Sequence, residues 1–101
     1  MEVSKKSHKA MLLSLFFIRD GFGQIQERRF PLDELVAASS CMRILKENGK
    51  INEETGVVSF EDGPIEFGKS EERVLSKLVE GVKDATATEA SDLFELKEML
   101  K

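Results

Sequence analysis

Tryptophan and tyrosine are absent from the 101 residues, cysteine and histidine occur once each, and proline occurs twice. Each scarcity closes a class of explanation. The only aromatics are seven phenylalanines. Phenylalanine has no polar tip to hold at a wet boundary, so the aromatic content is expected in the interior. The lone cysteine, Cys41, forbids an internal disulfide and suits a reducing compartment, so the chain is expected in the cytoplasm. It stands between Ser40 and Met42 in an apolar helical stretch and reads as a small core residue, not a nucleophile. One cysteine and one histidine, His8, do not assemble the usual ligand sets of a soft-metal site within one chain. No metal and no cofactor are expected.

Long apolar runs are missing too. The longest, Ala10 to Ile18, is interrupted only by Ser14 and falls far short of the ~20 residues that span a bilayer. No membrane association is expected. Lys5, Lys6 and Lys9 ahead of this run imitate a secretory signal, but Arg19-Asp20-Gly21-Phe22 follows where small residues should mark a cleavage site. The run therefore reads as a core helix.

What is present suffices for one domain over residues 1–101, with residues 1–6 expected as a flexible tail. Apolar residues are 41% and charged residues 34%, too apolar for disorder and too charged for a membrane protein. The net charge of −4 is uneven: Met1 to Lys50 has nine basic against six acidic residues, and Ile51 to Lys101 has six against thirteen. The acidic half repels phosphate backbones.

Local signals predict four helices and a hairpin. The first helix is expected from Ser4 or Ser7 to Arg19, stopped by Gly21 and Gly23. Its apolar residues cover nearly the whole circumference, which a surface helix does not do. The second is expected from Pro31 to Glu47, with Leu35, Ala38, Met42 and Leu45 on one face. Gln24 to Arg28 reads as a short extended piece. Asp62-Gly63 is a preferred two-residue turn and would bring Val58, Phe60, Ile65 and Phe67 onto one face of a hairpin, with Ile51 offering a further strand. A third helix is expected after Ser70 and a fourth from Thr86, whose spacing to Glu89 matches a capping box. The fold class is α+β, about four helices packed with a small antiparallel sheet in the order α-α-β-β-α-α.

Catalytic chemistry is not legible. The carboxylates occur as doublets in turns and first helical turns, the wrong setting for splitting two pKa values, and the one histidine precludes most triads. Asn52 to Gly56 lacks the alternating ligands of a calcium loop and reads as a turn. Two functions remain. The first is a non-enzymatic protein-interaction module or subunit, self-associating or binding a protein partner through Leu12, Phe16, Phe17 and Ile18 on the all-round apolar helix. The alternative is a winged-helix-like nucleic-acid binder using Arg28, Arg29, Arg43, Lys46 and Lys50, weakened by the acidic tip Glu61-Asp62 where a wing would meet phosphate.

Overall fold

Helix α1 spans Lys6–Ser14 and ends five residues before the expected Arg19. The Ser14 hydroxyl donates back to the Met11 carbonyl at 2.6 Å, and Phe16 N–H donates to Leu13 O at 3.1 Å, tightening the last turn. The chain then turns extended. Strand β2 (Phe17–Arg19) pairs antiparallel with β3 (Ile25–Glu27), Ile18 opposite Gln26. The Asp20 carboxylate closes the intervening loop by accepting from Phe22 N–H at 2.8 Å and Gln24 N–H at 2.9 Å. Gly23 takes φ +82°, which side chains disfavour. Of the apolar rod expected over Ala10 to Ile18, Ala10 to Ser14 is helix, Leu15 and Phe16 form a turn, and Phe17 and Ile18 are strand. The two glycines shape a hairpin turn and do not cap a helix.

The computed structural model describes all residues from Met1 to Lys101, in the order strand, helix, two strands, helix, three strands and two helices. The class is α+β as expected, but the order differs, because two hairpins interleave with the first two helices. Helix α2 runs Leu32–Glu47, with Asp33 and Glu34 at its positive end and Lys46 at its negative end. Its C-terminus leads directly into β4 (Gly49–Ile51), which pairs with β5 (Val58–Phe60) through an Asn52-centred turn. The Asn52 carboxamide oxygen accepts from Glu54 N–H at 2.9 Å, and Gly56 N–H reaches Asn52 O at 2.7 Å. Gly49 is required here, since a Cβ would lie 2.4 Å from Val58 Cγ1.

The Asp62-Gly63 hairpin does not form. Strand β6 (Ile65–Glu66) pairs instead with β1 (Glu2–Val3), Val3 opposite Ile65. The reason is a non-local cap. The Asp62 carboxylate accepts from Lys6 N–H at 2.9 Å, capping α1, while Gly63 N–H donates to Ser4 O at 2.9 Å. Residues 1–6, expected as a tail, therefore hold a strand whose Val3 is fully buried.

Helix α3 is Lys69–Glu80, preceded by Gly68 where Ser70 was expected as the cap. Helix α4 is Ala87–Met99, with the Thr86 hydroxyl accepting from Glu89 N–H at 3.3 Å. Helices α1 and α4, α2 and α3, and α3 and α4 pack in pairs around one core. That core holds Leu12 and Phe16 from the first segment, Ala38, Cys41 and Leu45 from α2, Val74, Leu75, Leu78 and Val79 from α3, and Leu93 and Leu96 from α4. Val3, Ile65 and Phe67 close it below β1 and β6. No helix is long and apolar enough to cross a membrane.

Candidate interaction surface

The four residues singled out on the first segment separate in space. Leu12 is fully buried and Phe16 is 1% exposed, its ring tilted against Phe30 at 5.6 Å between centroids. Both are spent on the protein's own core and cannot meet a partner. Phe17 is half-buried in an apolar groove beside Leu13, Val58 and Phe60. Only Ile18, 41% exposed on β2, faces outward.

The larger exposed apolar patch lies on α2 instead. Of the face expected through Leu35, Ala38, Met42 and Leu45, Ala38 and Leu45 are buried together with Cys41, Met42 packs at the edge of the core, and Leu35 is half exposed. Leu32 and Val36 turn to solvent beside Leu35, at 86% and 82% exposure. Leu32 and Val36 are one turn apart, so their side chains adjoin. A shallow depression runs on from them along Leu35, Val36, Ser39, Ser40 and Arg43. Scattered exposed leucines are ordinary, whereas neighbouring large aliphatics left uncovered on one helix face form a patch. Sequence reasoning missed it because Leu32 and Val36 fall outside any stripe that pairs with the core.

Cys41 lies on the opposite face of α2, fully buried, its thiol donating to Glu71 O at 3.6 Å. Burial, and after it the Glu71 carboxylate, push the thiol from its ordinary 9.0 up to about 12. It stays protonated and unreactive at neutral pH.

The basic residues of the nucleic-acid reading do not converge on one face. Arg28 and Arg29 precede α2, Arg43 and Lys46 lie in its last turns, and Lys50 lies beyond, the helix between spanning ~24 Å at 1.5 Å per residue. The Arg28 guanidinium donates to Leu15 O at 2.9 Å. Arg43 stands 3.9 Å from Glu47, and Lys50 pairs with Glu61 at 3.0 Å. The hairpin that follows α2 is β4–β5, not the expected one with the acidic tip, whose 61–63 loop is tied to α1.

Comparison with protein-family models, with curated proteins and with solved structures returned no match.

Proposed function

We propose that this chain is a non-enzymatic protein-interaction module whose occupant is a second copy of itself, docked through the exposed face of α2. The observation that carries the reading is the uncovered pair Leu32 and Val36 on consecutive turns of a helix that is otherwise anchored in the core. An apolar face favours a copy of itself, and an antiparallel copy with its two-fold axis close to Val36 sets Val36 of each against Val36 of the other and Leu32 of each against Ser40 of the other. Ser40 is small enough to let the helices approach. Such an interface is isologous and closes on itself. One helix face falls short of the ~800 Å² per partner of a standard stable interface, so the pairing is a transient, concentration-dependent one.

Sedimentation velocity across the micromolar to near-millimolar range tests the reading. A monomer–dimer shift abolished by Val36→Glu, with an unchanged melting temperature, is the expected result. A strict monomer throughout the range overturns the proposal, and so does a dimer indifferent to Val36→Glu. An α2 face that binds only an unrelated protein would replace the self-association reading with a hetero-complex.

A further inference from the structure

Helices α1 and α4 bring three metal-ligating side chains to one point away from the exposed face of α2. His8 projects from α1, and Asp92 and Glu95 project from α4 three residues apart, hence on one face of that helix. His8 Nε2 lies 3.5 Å from Asp92 Oδ1 and 3.5 Å from Glu95 Oε2. The His8 side chain is 5% exposed, and Nε2 has no hydrogen-bond partner. A buried ring nitrogen without a partner is costly, and such orphans call for an explanation. Both carboxylates reach the surface, Asp92 at 26% and Glu95 at 40% exposure, so the cluster has a route from solvent.

From this geometry we infer that His8, Asp92 and Glu95 form a binding site for a divalent transition-metal ion of the zinc class, with solvent as a fourth ligand. Tetrahedral zinc bonds imidazole nitrogen and carboxylate oxygen at about 2.0–2.1 Å, which separates neighbouring ligand atoms by about 3.3 Å. The two observed separations of 3.5 Å exceed that by a few tenths of an ångström. The three ligand atoms all fall within 4.8 Å of one another, so small rotations of the two carboxylates close the set. One imidazole with two carboxylates suits zinc or cobalt better than magnesium or calcium, which take oxygen ligands.

Neighbouring residues complete the arrangement. The Ser7 hydroxyl donates to Asp92 Oδ1 at 3.0 Å and orients that carboxylate, the supporting contact that metal ligands commonly have. Lys5 Nζ donates to Glu95 Oε2 at 2.9 Å. Its ammonium, by this hydrogen bond and its charge, holds Glu95 below the usual carboxylate range. The same ammonium competes for the oxygen a metal would take. Lys5 is thus a built-in rival, and removing it should tighten binding.

Titration of the full chain with cobalt(II), followed by the visible absorption of a tetrahedral centre, and with zinc(II) by calorimetry, tests the inference. Both ions are expected to bind once per chain. Loss of a supporting contact typically weakens a metal by about 10–100-fold, so Asp92→Asn and Glu95→Gln should each cost at least that much. Lys5→Met should strengthen binding, and Ser7→Ala should weaken it by about 10-fold. All four substitutions leave the buried His8 in place and sit at exposed or partly exposed positions, so the variants remain folded. Absence of binding tighter than millimolar overturns the site, as does binding unchanged by Asp92→Asn, Glu95→Gln and Lys5→Met alike. The sedimentation test of α2 is independent of either result.

Discussion

Replacement of Lys9 by methionine is the sharpest test of the fold. Three lysines lie close together, Lys5, Lys6 and Lys9, and sequence alone treats them alike. The structure does not. Lys9 is 3% exposed, its aliphatic stem in the core and its ammonium donating to Glu61 O at 3.0 Å and to Gly63 O. These bonds join α1 to a loop more than fifty residues downstream and help hold that loop over the start of the helix. Hydrogen bonds to a charged group contribute about 1.5–3 kcal/mol each, so the pair carries about 3–6 kcal/mol. Methionine keeps most of the buried stem and removes the desolvation cost of an ammonium, which returns part of that sum. The expected net loss is about 2–3 kcal/mol, or a melting temperature lower by about 10–20 °C at 4–8 °C per kcal/mol. Thermal unfolding by circular dichroism reads it, with Lys6→Met as the control. Lys6 is exposed, and its replacement should stay within about 0.5 kcal/mol of the parent. Equal, small effects at both positions would refute the buried placement of Lys9.

Phe16→Ala should cost about 3–5 kcal/mol in chemical denaturation, since its ring fills the core against Phe30 and no partner is needed to bury it. A change below 1 kcal/mol would return Phe16 to the surface. Gly49→Ala should destabilise by about 1–3 kcal/mol, because its methyl meets Val58 Cγ1 and the Ser59 carbonyl. A neutral result in the same assay would mean that β4 and β5 are not apposed as described. Cys41 makes a pH prediction. Its folded pKa, about 12, lies above its ordinary 9.0, so the stability it contributes is intact below pH 9 and is lost as pH rises towards 12. Each pH unit in that window costs about 1.4 kcal/mol, and Cys41→Ala should flatten this part of the stability profile. Parallel profiles would show that the thiol ionises freely.

Helices α2, α3 and α4 were legible because their signals are local. Pro31, Asp33 and Lys46 mark the ends of α2, and Thr86 caps α4 through the hydroxyl bond that its spacing to Glu89 implies. The Ile25 and Ile51 strands and the Asn52 turn also appeared in pattern. The first segment misled because Phe16, Phe17 and Ile18 are apolar whichever structure they adopt. Periodicity cannot separate a buried helix from a strand in so short a run. The overlooked signal was Asp20 followed by Gly21 and Gly23, a side chain able to bind its own loop amides. Asp62-Gly63 misled for another reason. Its turn chemistry is sound, but Asp62 is drawn to the free amide of Lys6, a partner that no window along the chain contains. The burial of His8 and Lys9 is not legible in the sequence, because the groups that cover them, on α4 and the 61–63 loop, lie far along the chain. The α2 patch was hidden because Leu32 and Val36 lie outside the helix's apolar stripe and Leu35, at the edge of that stripe, is half exposed.

The pairing of Val3 with Ile65 has a consequence for biogenesis. During synthesis the amino-terminal segment leaves the ribosome first, yet its strand partner, the carboxylate that caps its helix and the carbonyls that receive Lys9 all lie between residues 61 and 66. Closing so long a loop is slow. Until then Leu12 and Phe16 are uncovered, and the nascent chain presents a sticky segment of the kind chaperones guard. Docking of this segment is therefore a late event, and ribosome-stalled fragments ending before residue 60 should leave it open to protease.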